Sequence, residues 1–127
     1  MSGMYGLSVR WSLAAAPEGV AKELRDYVAG QSLERFTGMA GLRFKTWRMR
    51  PGEWFEGTYV FATAQARDDF LTSFSETAAT SPGSRIIGSA PELMEPFEVV
   101  AVAEGGDGFA AGAGPGGRSG PGGRSDG

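Results

Sequence analysis

Three side chains of this sequence carry groups that could do chemistry on a small molecule. Trp47 offers a flat aromatic surface, Tyr59 a phenol that can donate a proton, and Arg10 a permanent positive charge. A tryptophan in a pocket stacks on a flat substrate, whereas an arginine stabilises a phenolate or an enolate. We therefore take Arg10, Tyr59 and Trp47 as the candidate catalytic residues.

Each of these residues also has a purely structural explanation. Trp47 fits a dimer interface equally well. Tyr59 alternates with Phe55 and Phe61, so it also fits a core tyrosine with a satisfied hydroxyl, and Arg10 fits a surface salt bridge. By the same strand periodicity, the candidate substrate-binding residues are Ser8, Lys45, Trp47, Met49 and Tyr59.

Two residue types that often carry chemistry are missing. The sequence contains no cysteine and no histidine, which excludes thiolate nucleophiles, zinc–sulfur sites and histidine-based triads. The acidic residues Asp68 and Asp69, and likewise Glu92, Glu95 and Glu98, lack the spacing of a metal-binding loop. No glycine-rich turn follows a strand and opens a helix, as a phosphate loop requires. We expect no metal and no cofactor.

Charge and hydropathy limit the partners. Twelve Lys and Arg against fifteen Asp and Glu give a net charge of −3, and no segment gathers the positive charge, which argues against nucleic acid as a partner. The N-terminal Met1-Ser2-Gly3-Met4 lacks a basic start, and no apolar run reaches the ~20 residues of a membrane span. We expect a cytoplasmic protein that binds neither nucleic acid nor membrane.

The first half of the chain predicts a strand, a helix and a hairpin. Apolar and polar residues alternate over 5–13, which is typical of a strand with one buried face. Helical spacing follows over 17–31, and a short turn at 33–36 could extend this helix. Residues 42–49 and 54–62 are then predicted strands, joined by the proline-glycine turn at 50–53.

The second half predicts one more helix and one more strand. Thr63 is a plausible N-cap for a helix ending near 75–76. A brief strand or turn is predicted at 85–87, and the β-branched run within 97–103 predicts the final strand.

The C-terminal composition differs from the rest. Residues 104–127 are rich in glycine, and Gly-Pro-Gly-Gly-Arg-Ser occurs twice in succession, at 114–119 and 120–125. Such a segment cannot bury enough apolar surface to offset its ordering entropy. We therefore predict a domain at 1–103 and a disordered tail at 104–127.

The element order β-α-β-β-α-β is that of a ferredoxin-like α+β domain, whose two helices cover one face of a four-stranded antiparallel sheet. The other face stays bare in a single copy. Strict alternation places Leu42 and Phe44 on one face, and Trp47 and Met49 on the other. Trp47, Met49 and either Trp54 or Phe55 would then lie on the uncovered face, which predicts a homodimer formed through the sheet.

The segments Lys45-Thr46-Trp47 and Gly57-Thr58-Tyr59-Val60-Phe61, with the helix 64–74 that follows, resemble the dimeric α+β barrel superfamily. The resemblance is to its small mono-oxygenases, particularly the YdhR-like group, which has a K-x-W strand and a G-G-x-Y-x-F strand. It covers 5–103 in order of elements, although Glu56 replaces one glycine of the family's pair.

This resemblance implies two ferredoxin-like sheets paired into a barrel, with a cavity in each protomer. It implies a small aromatic ligand and chemistry without metal or organic cofactor, with a cofactor-independent mono-oxygenase of phenolic or polyketide-like substrates as the leading interpretation. Two alternatives stay open: a cofactor-free cyclase or isomerase using the same cavity, and a non-catalytic protein that only binds the ligand.

Overall fold

The computed structural model describes residues 3–114 of the chain, and its centre is one antiparallel sheet. The strands are β1 (Tyr5–Ser12), β2 (Leu42–Arg50), β3 (Trp54–Phe61) and β4 (Leu93–Glu98). They are arranged in the order β2-β3-β1-β4, so β2 and β4 are the edge strands. This is the ferredoxin-like topology that the sequence predicts.

Helical segments cover one face of this sheet. They are α1 (Val20–Tyr27), a π-helical turn (Val28–Ser32), α2 (Leu33–Phe36), α3 (Ala64–Thr77), a 3-10 turn (Ala78–Thr80) and α4 (Pro82–Ile87). The predicted cap is confirmed, since the Thr63 side chain accepts a hydrogen bond from the backbone N–H of Ala66.

The core lies between this helical layer and the sheet. Alternation along β1 turns Leu7, Val9 and Trp11 toward the helices, where all three are buried. On the helical side, Leu24 and Phe36 complete the same cluster. The helices thus cover the side of the sheet that carries the apolar face of β1.

The predicted faces of β2 are wrong for Trp47 and Met49. Leu42 pairs with Phe61 but Phe44 pairs with Val60, so the ladder has an irregularity between Leu42 and Phe44. A bulge of this kind adds one residue and reverses the alternation beyond it. Lys45, Trp47 and Met49 therefore share the helix-covered face with Leu42, while Phe44 lies on the open face.

The hairpin partner strand follows the regular alternation. Phe55 and Tyr59 are buried in the core, whereas Trp54, Glu56 and Val60 belong to the open face. Of the residues predicted to lie on the uncovered face, only Trp54 is found there. Trp47 packs against the core of its own chain and does not lie on the open face.

The last strand begins and ends earlier than the predicted 97–103. β4 pairs with β1 from Arg10↔Leu93 to Tyr5↔Glu98, and one further bond joins the Val99 N–H to the Met4 carbonyl. Beyond that point the chain has passed the end of β1, and Val100 is 89% exposed. The β-branched run therefore has no strand beside it to pair with.

The segment 85–87 is helical, not the predicted strand or turn. Pro82 occupies the first turn of α4, where its missing N–H costs nothing. Ser84 of this helix accepts a hydrogen bond from the Trp11 indole at 2.9 Å. The buried indole thus ties α4 to the sheet.

The part of the predicted tail that lies within the described residues forms no helix or strand. A turn at 105–108 is closed by a bond from the Gly108 N–H to the Gly105 carbonyl, and the Phe109 ring lies 6.4 Å from that of Phe44 on the open face. The remainder of the tail prediction, 115–127, falls outside the described residues.

Candidate functional site

A small cavity lies inside the chain between the sheet and the helices. Its volume is about 40 Å³, close to what one water molecule occupies in the liquid. Strands β2 and β3, helices α1 to α3 and the start of α4 all contribute to its wall. Its lining includes Tyr27, Arg35, Phe36, Lys45, Trp47 and Tyr59.

Lys45 and Tyr59 meet at this cavity because they are direct partners in the β2–β3 ladder. The Lys45 Nζ lies 3.0 Å from the Tyr59 hydroxyl oxygen. A charged amine donates to that oxygen, while a neutral amine can accept from the phenol instead. The pair therefore has a short path for exchanging a proton.

Aromatic rings surround the lysine amine. The Nζ lies 3.7 Å from the centre of the Phe36 ring, 4.2 Å from that of Tyr59 and 4.5 Å from that of Trp47. We call these three rings the aromatic box. The box attracts a cation through the ring quadrupoles but also excludes water from it.

Exclusion of water decides the charge of Lys45. Burial, with a smaller contribution from the positive charge of Arg35, lowers the pKa of Lys45 from 10.5 to about 6. Among the residues that line the cavity there is no Asp or Glu that could hold the ammonium form. At neutral pH the amine is therefore mostly neutral, which makes it a base and a nucleophile.

Tyr59 has the opposite shift for the same reason. Burial raises the pKa of its phenol above the ordinary value, and the nearby Arg35 guanidinium opposes this only in part. Tyr59 is 4% exposed and packs against Phe61 and Phe70. Its phenol thus stays protonated and can act as a hydrogen-bond donor, consistent with a core tyrosine as well.

Trp47 is held in place by a buried hydroxyl. Its indole N–H donates to the Ser32 Oγ at 3.0 Å, and Ser32 is the last residue of the π-helical turn. The indole ring also packs edge-on against Phe36. A π-helical turn contains an extra residue and often marks a functional site; here it supplies the serine that orients Trp47.

A larger groove runs beside this cavity, along the outer edge of β2. Its volume is about 950 Å³, and Ala110–Gly114 form part of its far wall. Phe36, Lys45 and Trp47 line both spaces. Arg25, Arg43 and Arg48 also line the groove, which lies where a ligand could approach the Lys45 amine.

Arg10 and Ser8 are not brought to the cavity. Both lie on the open face of the sheet, where Arg10 pairs with Glu56 at 3.3 Å and its guanidinium lies 4.1 Å from the Trp54 ring centre. Glu56 is 3% exposed and also pairs with Arg48. The salt-bridge explanation of Arg10 therefore matches the geometry.

The remaining predicted residues divide between the two spaces. Lys45, Trp47 and Tyr59 line the cavity, while Met49 lies farther along β2 and lines only the groove. Sequence reasoning missed Arg35 and Phe36, which face Lys45 from α2. The only sequence signal for them was the short helical extension at 33–36, which does not indicate what α2 packs against.

Two solved structures share this architecture. The "NE2512 protein of unknown function" from Nitrosomonas europaea is 22% identical, with a TM-score of 0.57, over 80% of this chain and 93% of that chain. A "putative Antibiotic biosynthesis monooxygenase" from Chloroflexus aurantiacus J-10-fl is 20% identical, with a TM-score of 0.52, over 79% and 96%. No family model matches the sequence, and no curated protein gives a significant match.

Within residues 3–114, no helix is long and apolar enough to cross a bilayer, and no group of three or more His, Cys, Asp or Glu side chains could hold a metal ion. The four-stranded sheet, its strand order and the two structural neighbours agree on the architecture. The chain has the ferredoxin-like α+β fold that its sequence resemblance to the dimeric α+β barrel superfamily predicts.

Proposed function

We propose that the protein is a cofactor-independent mono-oxygenase of a small aromatic, phenolic substrate. The observation that carries this proposal is the Lys45 amine, 3.0 Å from the Tyr59 hydroxyl inside the aromatic box, where burial lowers its pKa to about 6. A structural neighbour described as a "putative Antibiotic biosynthesis monooxygenase" supports the same reaction class.

In this proposal Lys45 removes the proton that activates the substrate. A phenol or an acidic ring C–H loses its proton to the amine, and Tyr59 donates a hydrogen bond to the substrate oxygen. The electron-rich anion then reduces molecular oxygen. One oxygen atom ends as a new carbonyl in place of two ring hydrogens, the other leaves as water, and the substrate supplies all four electrons.

Arg35 takes the part for which the sequence suggested Arg10. Its guanidinium is exposed, lines the cavity and contributes positive potential at both Lys45 and Tyr59. An anionic intermediate in the cavity would be stabilised by that charge. Arg10 is separated from this site by the sheet itself.

The substrate needs more room than the cavity has. A volume of about 40 Å³ does not hold an aromatic ring. Phe36 and Trp47 separate the cavity from the groove along β2, so turning either ring would join the two spaces. We therefore expect ligand binding to move one of these side chains.

Oxygen consumption with a hydroxyanthrone as probe tests the reaction class. We expect turnover in air, none under nitrogen, and a loss of at least ~100-fold in Lys45→Met, as for removal of a general base. Lys22→Met is the matched control, because Lys22 is an exposed lysine paired with Asp26. Equal turnover without oxygen would instead indicate the cyclase or isomerase alternative, and binding without turnover a ligand-binding protein.

A homodimer formed through the open face of the sheet is the second part of the proposal. That face carries the partly exposed Phe44 and Trp54, and no helix covers it within the described residues. Phe109, which approaches it, is 68% exposed. A second copy of the same face would bury these apolar groups, at about 800 Å² per protomer for a standard interface.

Phe44→Glu should shift the protein from dimer to monomer, because it places a carboxylate where the two sheets would meet. Light scattering at micromolar concentration measures the mass directly. Gln31→Glu introduces the same side chain on the exposed helical side and should leave the dimer intact. A monomeric mass for the unmodified chain would overturn the dimer.

A further inference from the structure

We propose that Lys45 is also a covalent attachment site for small carbonyl compounds that bear a carboxylate, the 2-oxo acids, which it binds as an imine. This activity goes beyond the proposed oxygenation, since it needs neither oxygen nor a phenol. It follows from three features of the cavity: the position of the amine, the group that can deliver a proton to it, and the cation beside it.

The amine is placed as a nucleophile and not as a partner in an ion pair. Its one hydrogen-bond partner among the described residues is the Tyr59 hydroxyl, at 3.0 Å. The titratable or charged groups that line the small cavity with it are Arg35 from α2, Tyr27 from α1 and Tyr59 from β3, and this lining contains no Asp or Glu. A lysine in such surroundings keeps its lone pair free.

The imine step balances without any added oxidant or reductant. The Nζ lone pair attacks the carbonyl carbon and forms the C–N bond, and one amine proton moves to the carbonyl oxygen to give a hydroxyl group. The C–O bond then breaks, the hydroxyl takes the second amine proton and leaves as water, and the C=N bond forms. The Tyr59 phenol is within hydrogen-bond reach of Nζ, and its raised pKa keeps it protonated so that it can assist departure of the hydroxyl.

Arg35 favours a carbonyl compound with a negative charge. Its side chain lines the cavity but is exposed, and it forms no salt bridge with any residue in 3–114. Guanidinium groups bind carboxylates with two parallel hydrogen bonds. A 2-oxo acid places a carboxylate next to its reactive carbonyl, so Arg35 and Lys45 together match that pair of groups.

The chain contains an internal control for amine reactivity. Lys22 and Lys45 are the two lysines of the sequence. A hydrogen bond and charge interaction with Asp26 raise the pKa of the exposed Lys22, whereas burial lowers that of Lys45. At pH 7 the two side chains therefore differ greatly in their neutral fraction, whereas accessibility alone would favour the exposed Lys22.

Glyoxylate, the smallest 2-oxo acid, with sodium cyanoborohydride is the test, run under nitrogen on the full chain at pH 7. Cyanoborohydride reduces an imine to a stable amine, so peptide mass mapping shows which nitrogen reacted. We expect labelling of Lys45 at least ~10-fold faster than of Lys22, given the difference in neutral fraction. Lys45→Arg should lose this label, while Lys22→Arg should keep it.

A comparison of two aldehydes tests whether the carboxylate is required. Acetaldehyde has the same number of carbon atoms but no charge, so Lys45 should react faster with glyoxylate, and Arg35→Met should remove that preference. Labelling confined to Lys22 and the α-amino group in the folded protein would overturn the proposal. Labelling of Lys45 with equal rates for both probes would overturn the assignment of 2-oxo acids. Neither result depends on oxygenase activity.

Discussion

Lys45→Met should make the protein more stable at pH 7, by about 1–3 kcal/mol in unfolding free energy, although it removes the proposed catalytic base. In the unfolded chain the lysine is charged, and burial must remove that charge, since the pKa of Lys45 falls from 10.5 to about 6 on folding. Each unit of such a shift corresponds to 1.36 kcal/mol. Methionine removes this cost, but it leaves the Tyr59 hydroxyl without a partner, which lowers the stability by about 1 kcal/mol.

The stability difference between the two proteins should depend on pH, and its direction follows from the lowered pKa of Lys45. Between pH 6 and 10.5 the unfolded chain binds the proton of Lys45 and the folded chain does not, so stability rises with pH across this window. The slope due to this one group should be about 1.4 kcal/mol per pH unit in the middle of this window. Lys45→Met should lack that contribution, so the difference between the two proteins should shrink and then change sign at about pH 8–9.

Urea unfolding at several pH values between 6 and 10 measures both quantities. Lys22→Met serves as the control, because Lys22 is exposed and its pKa is raised; its curve should stay close to that of the unmodified protein. If Lys45→Met were less stable at pH 7, with an unchanged slope, the amine would be charged in the folded protein. The neutral nucleophile on which both proposals depend would then be excluded.

Phe36→Ala should destabilise the protein by about 3–5 kcal/mol, as truncation of a buried phenylalanine does. Phe36 is 5% exposed, and its ring contacts those of Trp47, Tyr59 and Phe70. The same truncation removes one wall of the aromatic box, so water should reach Lys45. Chemical unfolding measures the stability, and the pH profile of amine labelling should show a higher pKa for Lys45.

Phe36→Leu separates the two effects. Leucine refills much of the volume but has no ring face, so stability should recover by roughly 2 kcal/mol or more relative to Phe36→Ala. The pKa of Lys45 should stay low, because burial is its main cause. A pKa that rises fully in Phe36→Leu would show that the ring itself, and not exclusion of water, controls the amine.

The order and type of most elements could be predicted from periodicity. The face of the sheet on which each β2 residue lies could not. Alternation is a local rule, and one extra residue between Leu42 and Phe44 reverses it for the rest of β2. The residue types at that point do not indicate a bulge. The end of β4 was missed for a different reason, since it depends on where β1 begins and not on the β propensity of the 97–103 run.

The site was predicted in part for related reasons. Lys45, Trp47 and Tyr59 lie on two strands of one hairpin, so their meeting requires only the pairing of neighbours in sequence. Arg35 meets them through tertiary packing of α2, which no pattern in a single sequence specifies. Arg10 was misplaced because a strand residue on the polar face of β1 points away from the helices, however suitable its charge.

The shape of the cavity can be traced to one extra residue in the π-helical turn at Val28–Ser32. Such a turn holds one residue more than an α-helical turn, and each helical residue advances about 100° around the axis. Without that extra residue, α2 would be rotated by about 100° and Phe36 would point away from Lys45. We therefore expect that deleting one residue from this turn would expose the Lys45 amine to water.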